Sequence, residues 1–312
     1  MTSVLLIGTG RMARAYAQVL TTLNVPAIAV GRSEEHARTF ERETDMKALS
    51  GGLSSWKKTA PEIPTHAIIA ADVEAIPVIA RELIDTGIKH LLLEKPAALG
   101  KVELTPLQTH AKNNSASVSV GYNRRFLSSV QKAKELIAAD GGAISFYFEF
   151  NERTTQPERI KGMNTPERTV ERWFIANSTH VIDLAFYLAG EPIALSGFTA
   201  AGPLWAPHPT HFSGAGLAED GAVFSYYANW EIDGPWLVEI QTPKRKLVLN
   251  PLEKLNEERG GVMVPVECDD SLDTAFRPGL YREVECFLSG TGDLPTLEEQ
   301  ILRFDWYEKM LS

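Results

Sequence analysis

The chain has 312 residues and a mass of 34.4 kDa, room for two domains of ordinary size. With 44% hydrophobic and 23% charged residues it has a globular composition, which excludes collagen-like, coiled-coil and wholly disordered classes. Asp and Glu (40) outnumber Lys and Arg (31), the net charge is −9, and the basic residues are scattered, so neither nucleic acid nor a membrane is an expected partner.

Two cysteines, Cys268 and Cys286, cannot build a disulfide framework. No apolar run approaches the ~20 residues that span a bilayer, and no charged segment leads into an apolar one at the N-terminus. A cytoplasmic protein is expected.

The first hundred residues alternate short apolar runs with helical patterns. Residues 3–7 (SVLLI) are too apolar for a half-exposed strand and read as a buried parallel one. A helix over 11–23 follows, with Ala15, Val19 and Leu23 as its buried stripe. Then come a strand at 26–30, a polar helix at 34–43, a strand at 65–70, a helix at 73–85, a strand at 90–93 and another at 118–120. This alternation implies βαβ units and a parallel sheet covered on both faces.

After about residue 122 the pattern changes. A helix is expected over 127–139, ended by Gly141 and Gly142, and residues 143–150 (AISFYFEF) alternate like an antiparallel strand. Residues 153–172 read as a long polar loop and 178–188 as a helix. Six or so strand-like runs fill 193–266, among them 222–230, 236–242 and 246–249, and helices near 281–288 and 297–311 close the chain. The fold class is α/β. A doubly wound parallel sheet over 1–121 precedes an α+β domain over 122–312 built on an open, mainly antiparallel sheet.

Gly8-Thr9-Gly10-Arg11-Met12-Ala13 lies between the first strand and the first helix. This is G-x-G-x-x-A, in which Gly8 permits a sharp turn, Gly10 lets a pyrophosphate approach, and Ala13 keeps helix and sheet close. The helix N-terminus offers free N–H groups to the phosphates. About 20 residues on, NAD binders carry an acidic residue for the ribose hydroxyls. Here the second strand ends in Val30-Gly31-Arg32-Ser33, with no carboxylate to repel a 2′-phosphate. Arg32 and Ser33 favour NADP(H) over NAD(H). The competing reading has Arg32 exposed and Glu34 or Glu35 at the ribose.

His90–Leu93 runs into Glu94-Lys95-Pro96, which places Lys95 at the carboxyl end of a parallel strand, where ligands of such sheets bind. The glycine loop, Ala70-Ala71-Asp72, Glu94-Lys95-Pro96 and Gly121-Tyr122-Asn123-Arg124-Arg125-Phe126 occur in order at familiar intervals. Together they resemble the Gfo/Idh/MocA family, the glucose–fructose oxidoreductase and inositol dehydrogenase group, over nearly the whole chain. The resemblance implies a Rossmann domain followed by an open-sheet domain. It also implies that Lys95 lies beside nicotinamide and substrate, with Ala71, Glu94 and Asn123 near the cofactor. Tyr122, Asn123 and Arg124 become cofactor or substrate neighbours; Asn177 is a further substrate-binding candidate, and Trp173 either lines the pocket or simply packs.

His180 opens a helix in Asn177-Ser178-Thr179-His180-Val181-Ile182-Asp183, where Asn177 or Ser178 can cap and Asp183 can approach the ring. The positive helix end keeps imidazole neutral and able to exchange a proton. The resemblance makes His180 the acid/base, paired with Lys95. Many family dehydrogenases carry an Asp four residues before that histidine, whereas position 176 here is Ala. The leading expectation is an NADP(H)-dependent oxidoreductase acting on a C–O centre of a sugar or sugar derivative. The alternatives are a non-catalytic cofactor-binding regulator and a reductase of a non-sugar carbonyl, imine or tetrapyrrole.

No metal is expected, because Cys268-Asp269-Asp270 with Asp273 lacks EF-hand spacing and His208 and His211 match no zinc pattern. The antiparallel sheet is expected to bury an apolar face in a homodimer or homotetramer.

Overall fold

The computed structural model describes residues 2–59, 62–163, 165–205 and 208–312. Two compact units emerge, Met1–Asn123 with Thr274–Leu302 and Arg124–Asp273 with Arg303–Ser312. In chain order the first unit begins with β1 (Val4–Ile7), α1 (Arg11–Thr22), β2 (Ala27–Val30), α2 (Glu34–Thr44), β3 (Ala48–Leu49) and α3 (Gly52–Thr59). It continues with β4 (His66–Ile69), α4 (Ile76–Asp85), β5 (His90–Glu94), α5 (Lys101–Asn113) and β6 (Ser117–Gly121).

A 3-10 turn, Asn123–Phe126, leads to α6 (Ser128–Asp140), β7 (Ser145–Phe150), α7 (Gln156–Gly162), α8 (Glu167–Glu171), a π turn (Phe174–Ser178) and α9 (Thr179–Ala189). Next come β8 (Pro192–Ala201), β9 (Pro209–Ala218), β10 (Val223–Asn229), β11 (Trp236–Gln241), β12 (Lys246–Leu249), β13 (Leu255–Arg259) and β14 (Val262–Pro265). The chain closes with α10 (Ser271–Ala275), α11 (Leu280–Ser289) and α12 (Leu297–Leu311).

The first sheet is wholly parallel in the order β3-β2-β1-β4-β5-β6. Its order reverses between β1 and β4, and in such sheets ligands bind outside the carboxyl ends at that point. Continuous apolar runs make these strands central, and Leu5, Leu6, Ile68 and Leu92 are fully buried. Of the expected Ala15–Val19–Leu23 stripe of α1, Val19 is fully buried, and Ala15 and Leu23 pack partly buried against the core. The helix buries Ala13, Tyr16, Ala17, Val19 and Leu20, because the glycine turn seats Ala13 on the sheet and fixes the helix rotation. Helix α4 starts at Ile76 rather than 73, with Pro77 in its first turn, where a missing N–H costs nothing.

The second sheet has eight strands in the order β14-β13-β12-β11-β7-β10-β9-β8. Strand β7 pairs antiparallel with β11 but parallel with β10. The alternation at 143–150 fixed which side chains share a face but carried no information on the direction of both neighbours. On the covered face Phe148 stacks on Tyr226 (5.5 Å between centroids) and meets Phe186 of α9 edge-on (5.7 Å). A Cβ at Gly214 or Gly216 would come within 2.4 Å of the Tyr226 or Phe224 ring, so glycine here makes room for an aromatic on the next strand. Residues 153–172 are not the expected loop. They form α7 and α8, with Pro157 in the first turn of α7 and Ile160 and Thr169 buried. Two helices this short carry too few turns to show a period among charged residues. Among the described residues no helix is long and apolar enough to cross a membrane.

Candidate functional site

Between β1 and α1, Gly8 holds φ +117°, and a Cβ there would lie 2.2 Å from the Ala70 carbonyl oxygen. Only glycine fits that approach of β1 to the end of β4. Gly10 is the N-cap of α1, and a Cβ on it would meet nothing within 4 Å. The space beside Gly10 is therefore open at the N-terminus of α1, whose first turn carries no acidic residue. This cradle fits a pyrophosphate. Gly31, ending β2, packs on Thr9, whose Cγ2 would be 2.7 Å from a Cβ at that position.

Arg32 and Ser33 follow β2 as expected, and each has a partner. The Arg32 guanidinium donates to Asp72 Oδ2 at 2.9 Å, in an exposed pair. Ser33 caps α2, its hydroxyl accepting from His36 N at 3.4 Å. Glu34 is paired with Arg38 (2.6 Å), one turn into the helix. An open groove of about 740 Å³ runs along Ser33, Glu34, Glu35, Arg38, Thr39 and Arg42. Ala71 and Asp72 lie just past β4, accessible to solvent.

At the end of β5 the Glu94–Ala97 turn is closed by the Ala97 N–H donating to the Glu94 carbonyl at 3.0 Å. The Pro96 carbonyl accepts from Gln300 Nε2 at 3.0 Å. The half-buried Glu94 side chain accepts from the Tyr16 hydroxyl at 2.8 Å, and the same hydroxyl lies 3.1 Å from Glu283 Oε2 on α11. Burial pushes the Glu94 carboxyl up, against the opposing pull of Lys95, the Tyr16 hydrogen bond and Arg277. Lys95 is half-buried beside it. Tyr122 and Asn123 are buried, the Asn123 amide donating to the Pro278 carbonyl at 2.8 Å.

In the second unit His180 lies on the first turn of α9, 8% exposed, with its ring 5.9 Å from that of Trp236. Trp236 Nε1 donates to the Asn151 carbonyl at 2.8 Å, and the Arg124 guanidinium sits 5.9 Å from the same indole while pairing with Glu253. Trp173 Nε1 donates to Glu152 Oε1 at 3.0 Å, and the Asn177 amide donates to the same oxygen. Glu152 thus gathers two expected substrate neighbours around a buried carboxylate.

Two expectations for α9 fail. Asp183 does not serve His180. Its carboxylate accepts two bonds from Arg125, both 2.8 Å, and another from Arg303. A fully buried aspartate is held by cations, and two arginines take up its carboxylate. Nor do Asn177 and Ser178 cap α9. Ser178 has helical φ and ψ and makes no capping bond, because the π turn runs straight into the helix and Thr179 Oγ1 bonds back to the Ile175 carbonyl at 2.8 Å. His180 is therefore preceded by helical backbone rather than an open positive end.

Sequence reasoning missed Tyr16, Glu283, Gln300, Glu152, Trp236, Arg125 and Arg303. Glu283 left one signal, an acid on the same helical stripe as Leu280, Val284 and Phe287. Among the described residues no group of three or more His, Cys, Asp or Glu side chains is placed to hold a metal.

No protein-family model matches the chain, and no curated protein matches it. Solved structures do. Aldose-aldose oxidoreductase from Caulobacter crescentus superposes with a TM-score of 0.80 at 14% identity over 99% of this chain and 96% of that one. Levoglucosan dehydrogenase, solved with NADH and levoglucosan, gives 0.77 at 19% identity over 99% and 96%. The WlbA dehydrogenase from Bordetella pertussis, solved with NADH and UDP-GlcNAcA, gives 0.77 at 16% over 99% and 95%. The fold is that of the Gfo/Idh/MocA oxidoreductases. Its parallel first sheet and mainly antiparallel second sheet are those expected from the sequence.

Proposed function

We propose that this protein is an NADP(H)-dependent oxidoreductase that transfers hydride between the nicotinamide and a C–O centre of a sugar or sugar derivative. The observation that carries the reading is the open space at Gly10, at the end of β1 in the same parallel sheet whose strand β5 presents Lys95 at its carboxyl end. Gly8, Thr9, Gly10, Arg11 and Met12 would take the pyrophosphate, with Ala71, Glu94 and Asn123 nearby. The likeness to sugar dehydrogenases solved with NADH and a sugar supports the substrate class.

When bound, the reduced nicotinamide supplies the hydride. In the reducing direction Lys95 donates a hydrogen bond to the substrate oxygen and offsets the charge that develops there. His180 gives up the proton that converts that oxygen to a hydroxyl, and in the oxidising direction it takes the proton back. Trp173, Asn177 and Arg124 orient the substrate, and Tyr122 supports Asn123. A 2′-phosphate would exchange Asp72 for itself at Arg32, and no carboxylate at the end of β2 opposes it.

The exposed face of the second sheet carries Phe198, Val223 and Tyr227 at 76%, 56% and 40% exposure, which supports a homodimer or homotetramer through that face. Two free cysteines fit a cytoplasmic setting.

Titration with NADPH and NADH, followed by nicotinamide fluorescence, tests the cofactor assignment. Tighter NADPH binding is expected, with Arg32→Ala removing about tenfold of the preference. Failure of both to bind would overturn the reading. With a sugar substrate in hand, Lys95→Met and His180→Asn should each lower kcat by about 10²–10⁴-fold and leave NADPH affinity within a few-fold.

A further inference from the structure

Tyr16, Glu94 and Glu283 bring three acidic groups to one point of the first unit. The Tyr16 hydroxyl lies 2.8 Å from Glu94 Oε2 and 3.1 Å from Glu283 Oε2. A phenol has one proton and donates one full hydrogen bond. With both carboxyls ionised, one short contact would set two lone pairs against each other. One of the two acids must therefore carry a proton.

The surroundings decide which. Tyr16 and Glu283 are fully buried, and Glu283 Oε1 has no hydrogen-bond partner among the described residues. Glu94 is half-buried and directly precedes Lys95. The packed elements contribute Tyr16 from α1, Glu94 from β5 with Lys95 after it, Gly121 from β6, Glu283 from α11 and Arg277 just before that helix. Arg277 acts on both carboxyls, whereas Lys95 acts on Glu94. Leu280 and Val284 add only apolar surface around Glu283. Gly121 closes the floor, where a Cβ would come within 3.1 Å of the Tyr16 hydroxyl and 3.3 Å of Glu283 Oε1.

We propose that Glu283 is kept as an un-ionised carboxylic acid that donates to Tyr16, so that Tyr16 donates to Glu94 and Glu94 alone holds the negative charge, next to Lys95. Glu283 is then a positioning residue. It stays neutral, directs the Tyr16 proton toward Glu94, and thereby keeps a carboxylate beside the lysine. Burial, followed by the nearby Glu94 charge, pushes the Glu283 carboxyl well up, in keeping with this order of protons. The consequence for the reaction rests on the assignment of Lys95 made above, whereas the protonation itself does not.

The test uses the whole chain without substrate, so its failure is distinct from a failure of the oxidoreductase reading. Infrared spectra at pH 7 should show the carbonyl stretch of one un-ionised carboxyl, lost in Glu283→Gln and kept in Glu94→Gln. Acetic anhydride labelling of Lys95, read by mass spectrometry across pH, should shift to lower pH in Glu94→Gln and much less in Glu283→Gln. An acid whose folded-state pKa is raised loses stability as pH climbs above its ordinary 4.5, because the unfolded chain releases the proton first. The Tm of Glu283→Gln should therefore gain on the wild type by about 2–4 °C per pH unit between pH 5 and 7. A flat Tm difference, the absence of any such band, or a band lost in Glu94→Gln instead would each overturn the proposal.

Discussion

The two units solve one electrostatic problem in opposite ways. In the second, Asp183 is buried completely and gripped by Arg125 at 2.8 Å and by Arg303, which also reaches Glu191. Burial by itself would pull Arg303 down, but the carboxylates of Asp183 and Glu191 overcome it and hold the guanidinium charged. In the first unit Glu283 and His66 have few counter-charges, and burial moves both toward their neutral forms. Glu283 is pushed up by burial, and His66, lowered to about 4 by burial and then by its stacked neighbour His90, loses its proton for the same reason. Burial poses the problem; the supply of arginines decides whether charge is kept or given up.

Cutting the paired cluster should have the largest effect. Asp183→Asn leaves two buried guanidinium groups without their carboxylate and should cost about 3–5 kcal/mol, read from urea unfolding. The matching cut in the first unit, Glu283→Gln at pH 7, exchanges one neutral group for another in the folded chain and removes an acid that ionises only on unfolding, so it should cost nothing or leave the chain more stable than the wild type. Equal costs would break the contrast.

His66 sharpens it with pH. The folded chain prefers neutral imidazole while the unfolded one binds a proton near 6.5, so stability is full above that pH and falls as pH drops toward 4. His66→Gln should remove that part of the acid sensitivity in unfolding curves taken across the window.

The smallest effect belongs to pairing without burial. The Glu34–Arg38 pair on α2 is 2.6 Å long with both side chains exposed. Arg38→Ala should change stability by no more than about 0.5 kcal/mol, with most of that screened in high salt. A cost comparable to that of Asp183→Asn would mean that pair geometry, and not burial, sets the scale.

Much of the fold was legible because local patterns carry it. An apolar run such as Val4–Ile7 can only be a central strand, and glycines that admit a tight turn mark Gly8–Ala13 wherever they stand between strand and helix. The short helices α7 and α8 were not legible, since two turns of charged residues show no period. Lys95 and Glu94 were legible at their strand end, but Tyr16, Glu283 and Gln300, which gather around that turn, were not. Tyr16 and Glu283 are 267 positions apart, and no spacing rule joins them.

The sequence by itself determined the change from alternating strands and helices to a run of antiparallel strands, the glycine turn, and the position of Lys95 at a strand end. These depend on neighbours within a few residues, where backbone sterics and periodicity act. Tertiary structure alone decided that residues 274–302 return to the first unit, that Asp183 answers to Arg125 and Arg303 instead of His180, and that Tyr16 stands between two carboxyls. Each is a choice of partner among buried polar groups. Such choices are settled by which distant elements the packing of the core brings within hydrogen-bond reach.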